Sequence, residues 1–310
     1  MTTVYISNNG QLARLEQPVE GAWIHLCAPN EAELSAISKE LDIAPSLLHA
    51  ALDEEERSRI DDDDGNTLIL VDTPTVEMQG RSFVYSSIPF GIILTKENIV
   101  TVCLKESALA RAFYENAVKG FSTKKHIRAT LQMLYRNATL FLFYLREVDK
   151  ASTRVENELH KSMKNEELVQ MLGLEKSLVY FSTSLKGNEI VMEKLMRLDF
   201  VHDFPDDAEL LEDVIIENKQ AIEMCNIYRD ILSGTRDAFA SVISNNLNFV
   251  MKLLAAVTII IALPSMIFAL WGANVPVPFE RSPYGFAVLI GVASICTLVA
   301  VLLMIKKKWL

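Results

Sequence analysis

Two apolar runs constrain this chain more than anything else in it. Phe249 to Leu270 carries a single charge, Lys252, and Tyr284 to Ile305 carries none, each over 22 residues. A helix needs about 20 mainly apolar residues to cross a bilayer, so both runs predict membrane spans. The alternative, two buried helices of a soluble core, fits poorly with two such runs in series and three lysines after the second. Between the runs lies LWGANVPVPF, a Gly-Ala-Asn turn followed by two prolines. That is a tight return between two spans.

Charge placement predicts the topology. The loop from Trp271 to Pro283 holds one base and one acid, while Lys306, Lys307 and Lys308 follow the second span. The positive-inside rule assigns that end to the cytoplasm, and two spans bring the N-terminal part to the same side. MTTVYISNNG shows no basic n-region or apolar h-region to contradict this. The expected location is therefore the cell (plasma) membrane, multi-pass, with both termini cytoplasmic. Of 30 bases and 40 acids, five and one lie within 249–310, so residues 1–248 carry a net charge of −14. Such an acidic part excludes nucleic acid as a partner and favours cations. Cys27, Cys103, Cys225 and Cys296 form no C-x-x-C pair and read as buried, reduced thiols.

The soluble part reads as α/β followed by helices. TTVYI, AWIHL, NTLILVDT, SSIPFGIILT and NIVTVCL predict strands, with a helical pattern from Glu31 to about Arg57 broken near Ala44-Pro45. Asp61 to Asp64 before Gly65 suggests a metal loop, but an EF-hand register would put Ile60 at its first ligand position. An exposed helix-to-strand turn fits better. Residues 1–121 thus form an α/β domain, and 122–205 a helical hairpin broken near Asn165. Ile127, Leu131, Leu134, Ala138, Phe141, Leu145 and Val148 mark its apolar face. Phe204-Pro205-Asp206-Asp207 signals a helix start. No proline then intervenes before Pro264, which predicts one helix over 206–270, about 97 Å long. Its first span covers about 249–270. The loop 271–283 and the second transmembrane helix with its basic tail, 284–310, complete the chain.

Along that helix, alternating steps of four and three connect Asp237, Ser241, Ser244, Asn248, Met251, Ala255, Thr258, Ala262, Ser265, Ala269 and Gly272. All but Met251 are small or polar. A 3.5-residue period keeps such a stripe on one side of a supercoiled helix. Close helix packing also uses small residues, but packing alone does not explain why the line runs on below the membrane to Asp237. A water-facing conduit explains both parts. The second span has no comparable line, so it is expected to face lipid. One lining helix per chain cannot enclose a channel, which predicts a homo-oligomer. At the stripe's outer end, Gly272 can close the helix in a left-handed conformation, and Asn274 offers a neutral carbonyl oxygen. Such oxygens suit hydrated divalent cations, above all Mg²⁺, which sheds water reluctantly.

The chain at this point resembles the CorA family of divalent-cation channels, over essentially its whole length. YRDILSG, NNLNFVMKLL and GANVPVPF, between Tyr228 and Pro283, carry the resemblance most specifically. The family pattern is a cytosolic α/β domain, a very long first transmembrane helix, a Gly-Met-Asn turn and a second helix ending in basic residues. The resemblance implies a homopentamer with a funnel-shaped cytosolic domain and a Mg²⁺ pore. It implies a filter at Asn274 with Gly272, an apolar gate at Met251 and Leu254, and pore-lining Asn248, Asp237, Ala262 and Ser265. Asp213 matches a carboxylate that helps hold a regulatory Mg²⁺ between subunits. Two positions depart from the pattern. Ala273 replaces the motif's Met, and Ala50 stands where the regulatory site's second carboxylate is expected. Asp53, three residues on, is the replacement on the same helix face.

The expected function is passive Mg²⁺ uptake gated by intracellular Mg²⁺, with Co²⁺ and Ni²⁺ as weaker substrates and no organic cofactor. A Zn²⁺ transporter of the same architecture is the alternative, although neither His nor Cys lies on the stripe. A non-conducting membrane-anchored scaffold is another. No P-loop, Cys/His cluster or nucleophile motif in the sequence points to an enzyme.

Overall fold

The structure, a computed structural model, describes every residue except 9–10, 80–81, 163–164, 202, 274–275, 280–281, 308 and 310. The side chains at 79, 82, 160–162, 165 and 200 are likewise left undescribed. The chain divides into two compact units, Met1–Thr235 and Arg236–Leu310.

The first unit is built on a seven-stranded sheet. Its strands are β1 (Thr2–Asn8), β2 (Gln11–Leu15), β3 (Trp23–Cys27), β4 (Arg59–Asp63), β5 (Asn66–Gln79), β6 (Ser82–Leu94) and β7 (Ile99–Cys103), in the order β2-β1-β3-β7-β6-β5-β4. All neighbours are antiparallel except β3 and β7, which run parallel. Helices α1 (Glu31–Glu40) and α2 (Pro45–Ala50) cover one face, burying Leu34, Ile37, Leu47 and Leu48 against Ile24, Leu26, Leu70 and Val100. The other face packs Trp23, Ile69, Phe90 and Ile92 against α3 (Ala108–Tyr114) and α4 (His126–Ser162). Val191 and Leu195 of α5 (Asn165–Leu195), and Leu211 and Val214 of α6 (Pro205–Trp271), join that core. Each fully buried side chain of this size contributes about 1.5–3 kcal/mol. The result is a sheet buried on both faces.

Local chemistry explains the boundaries. Asn30 caps α1 in a reciprocal box with Glu33, Asp42 turns at φ 53°, and Pro45 restarts the chain as α2. The expected helix therefore does break near Ala44, but it ends at Ala50 rather than Arg57. The acidic run also differs from expectation. Asp61 to Asp63 lie in β4, and the turn is the two-residue loop Asp64-Gly65, at φ 47° and 82°, joining Asp63 to its partner Asn66. Two consecutive left-handed residues make the hairpin turn that Asp-Gly favours.

Beyond Leu70, β5 has no β4 residue beside it. There Asn188 takes the place of a strand, accepting from the Asp72 N–H at 2.8 Å and donating to the Asp72 carbonyl at 2.8 Å. Asn137 of α4 donates to the same carbonyl at 2.7 Å. Pro74, two residues on, has no N–H to offer to that open side. The helical hairpin is thus fastened to the sheet by backbone-like hydrogen bonds, which are costly to leave unmade when buried.

The second unit holds the distal part of α6 and the helix α7 (Gly285–Lys306). Both are long and apolar enough to cross a membrane, and almost none of either apolar stretch is buried within the chain, 6% and 17%. Core helices of soluble proteins are buried. These are membrane spans.

Candidate functional site

Within the second unit α7 covers one face of α6. Ala256 is buried and Ile260, Leu263, Pro264, Ile267 and Trp271 are half-buried, a row at steps of three and four. The matching row on α7 is Gly285, Leu289, Ala293 and Met304. Phe268 and Pro264 share an apolar groove with Ile290, Ala293, Thr297 and Val301. Gly285 is required where the helices meet. A Cβ there would lie 2.6 Å from the Phe279 carbonyl oxygen and 3.5 Å from the Trp271 ring. Phe279 itself turns the loop at φ 65°.

The polar stripe lies elsewhere on the helix. Ser241, Ser244, Asn248, Ala255, Thr258, Ala262, Ser265, Ala269 and Gly272 are all exposed. At about 100° per residue this row falls roughly opposite the row that α7 covers. Met251, on the stripe, and Leu254 are also exposed, at 59% and 57%. The structure therefore gathers these sequence-predicted residues on the side of α6 that the chain does not cover.

The stripe's hydroxyls have a definite polarity. Thr258 Oγ1 donates to the Leu254 carbonyl at 2.8 Å, Ser265 Oγ to Ile261 at 2.9 Å and Ser241 Oγ to Asp237 at 3.1 Å. Each hydroxyl hydrogen is committed to the helix four residues back, so the oxygen lone pairs are left to accept. Neutral acceptors in a row suit the O–H groups of a cation's water shell. Asp237 adds a carboxylate at the stripe's N-terminal end, where it accepts from the Arg236 guanidinium at 3.3 Å.

The other expected site residues fare differently. Gly272 does not end the helix in a left-handed turn. Its N–H donates to the Phe268 carbonyl at 3.0 Å, and among the described residues of the loop the left-handed one is Phe279. Asn274 lies outside the described residues. Asp213 is exposed on α6. Asp53 is not on a helix, because α2 stops at Ala50, and its carboxylate accepts from the Glu55 N–H at 3.0 Å. The shared helix face expected for it does not exist. The α7-facing row on α6 was missed in the sequence because its Ala, Ile, Leu and Pro residues look like the lipid-facing ones around them.

Comparison with known proteins shows which family the chain belongs to. Residues 20–307 match the family described as CorA-like Mg²⁺ transporter protein. The chain is 28% identical over 303 residues to the cobalt/magnesium transport protein CorA of Methanocaldococcus jannaschii, covering 93% of this chain and 91% of that one. The complete structure of the CorA magnesium transporter from the same organism superposes with a TM-score of 0.86 at 23% identity, over 100% of this chain and 99% of the other. The full-length CmaX protein gives 0.72 at 16% identity, over 99% and 96%. With two membrane spans and a family match across nearly its whole length, this chain belongs to the CorA-like Mg²⁺ transporter family and is a divalent-cation transporter.

Proposed function

We propose that the chain is a passive Mg²⁺ channel, assembled as a homopentamer in the plasma membrane with both termini in the cytoplasm, whose ion path is lined by the stripe on α6. The observation that carries this reading is the polar row on the face of α6 opposite α7, exposed in the single chain along its length. Copies arranged around an axis would turn that row inward and leave α7 to the lipid. The hydrated ion is selected by neutral oxygens, the Asn274 carbonyl at the outer mouth and the Thr258 and Ser265 hydroxyls within, because Mg²⁺ retains its water shell. Met251 and Leu254 narrow the inner end and block it by dewetting when closed. Closure follows binding of intracellular Mg²⁺ at Asp213. Co²⁺ and Ni²⁺, of similar size and hydration, pass less readily.

Purified protein in liposomes tests this. Mg²⁺ should enter down its gradient with no second ion required, ahead of Co²⁺ and Ni²⁺, and native mass spectrometry should give five chains. Flux of Zn²⁺ without Mg²⁺ would replace the reading with a zinc transporter. Absence of flux for every ion from a well-assembled oligomer would leave a scaffold.

A further inference from the structure

A second metal chemistry is built into the first unit. Cys27 and Cys103 are the last residues of β3 and β7, the parallel pair, and they are register partners. Alternation along a strand puts His25 on the same face as Cys27, with Thr101 as its register partner on β7. The chain then leaves the two strand ends toward opposite faces of the sheet. From Cys27 it turns at Ala28, φ 44°, into α1 on one side. From Cys103 it enters α3, capped by Ser107, on the other. In α/β sheets, the crevice at carboxyl ends where connections diverge this way is where ligands bind.

The side chains there form a donor set. One ligand atom from each of His25, Cys27 and Cys103 lies within 4.8 Å of the others. A tetrahedral ion with sulfur at about 2.3 Å and nitrogen at about 2.0–2.1 Å holds its ligand atoms about 3.3–3.8 Å apart. Closing this set requires shifts on the scale of side-chain torsions. His25 is already oriented, its Nδ1 hydrogen-bonded at 2.8 Å to Thr101 Oγ1, and that oxygen accepts from Trp23 Nε1 at 2.8 Å. With the proton on Nδ1, the Nε2 lone pair is free, the arrangement that fixes metal-bound imidazoles elsewhere.

We propose that His25, Cys27 and Cys103 form a binding site for one thiophilic divalent cation of the Zn²⁺ and Co²⁺ class, on residues distinct from those of the ion path. Two thiolates cancel the ion's charge, which is what a buried location demands. Both sulfurs bind as thiolates, so binding displaces protons. Mg²⁺, which requires oxygen ligands, is excluded.

Co²⁺ titration of the full-length, reduced protein in detergent tests this. The expected result is a sulfur-to-cobalt charge-transfer band with the visible bands of tetrahedral Co²⁺. These should saturate at one ion per chain, resist excess Mg²⁺ and disappear on adding Zn²⁺. Hydrated Co²⁺ in a pore gives no sulfur band, so the outcome does not depend on transport. Cys27→Ser and Cys103→Ser should abolish the band, Thr101→Val should weaken binding roughly ten- to a hundredfold, and a Cys225→Ser, Cys296→Ser variant should retain it. Cys103 is fully buried, so Cys27→Ser, at a half-buried position, decides the matter if the other variant misfolds. A wild-type protein without the band, a band that survives in Cys27→Ser, or a Cys27–Cys103 disulfide persisting in reductant would each overturn the site.

Discussion

From Pro205 to Thr235, α6 buries Leu211, Val214, Ile215, Asn218, Ala221, Cys225 and Leu232, whereas from Arg236 to Trp271 only Phe239 and Ala256 among the described residues are buried. The first half has an ordinary amphipathic period and finds its partners within its own chain. The second half is apolar on most faces and small or polar on one, and one chain satisfies only the row that α7 covers. A single helix thus holds a segment that buries one face within its own chain and a segment that its own chain leaves almost wholly uncovered. The first segment is where the chain buries α6, and the second is where the proposed ion path lies.

That contrast fails outright if residues at the outer end of the second segment are dispensable. Asn274→Ala should reduce Mg²⁺ flux in liposomes to the protein-free background while leaving the oligomer intact, since no other neutral side-chain oxygen follows Ser265 in the stripe. Wild-type flux in a well-assembled variant would remove Asn274 from the mechanism. The next largest effect separates the faces of the helix. Thr258→Phe should slow Mg²⁺ flux about tenfold or more, equivalent to about 1.4 kcal/mol of barrier. Ile259→Phe, off the stripe, should cost far less. Equal losses in the two variants would mean that the stripe is a packing seam.

Substitutions in the two segments should also separate stability from flux. Leu211→Ala removes a buried side chain and should destabilise the first unit by about 2–5 kcal/mol, read from its near-UV circular dichroism melt. Met251→Ser should leave that melt unchanged, and should raise the residual Mg²⁺ leak measured at millimolar internal Mg²⁺ by making the inner constriction wettable. Unchanged leak at equal expression would count against a gate at Met251.

The same contrast explains what could be read in the sequence. Length alone identified the spans, because no soluble helix is expected to keep 22 exposed residues so free of charge. Strands buried on both faces, such as β5 and β7, were legible as β-rich apolar runs. Missing were the elements whose signal is not local. β2 is a short edge strand with polar, exposed residues. β4 reads RIDDD, poor strand formers that become a strand because Asp64-Gly65 folds them back on β5. α3 has seven residues, too few for its period to stand out. Cys27 and Cys103 are far apart in sequence, and only the β3–β7 register unites them. A His-x-Cys pair in a predicted strand was the one available hint. Asn274 is a filter candidate only from its place in the sequence after the stripe's last residue, Gly272.

The smallest expected effect concerns Asp213, an exposed carboxylate on the half of α6 that packs one face into the first unit's core. A regulatory Mg²⁺ shared with a neighbouring subunit is the role proposed for it. Such an ion requires hard oxygen ligands, and a single carboxylate holds it weakly. Ala50, at the position matched to the second carboxylate, is buried on α2 and supplies none. Asp53 lies in the turn beyond α2, where its carboxylate accepts one hydrogen bond from the Glu55 N–H and keeps lone pairs for a cation. A turn can also adjust by a few ångströms more readily than a helix face. If both groups serve one site, Asp213→Ala and Asp53→Ala should each raise the internal Mg²⁺ needed for half-closure by a few-fold. The double variant should add little, because both changes act through the same ion. Additive shifts would place the two aspartates at separate sites. A shift for Asp213→Ala alone would leave the site with one carboxylate from this chain, and its closure by Mg²⁺ correspondingly weak.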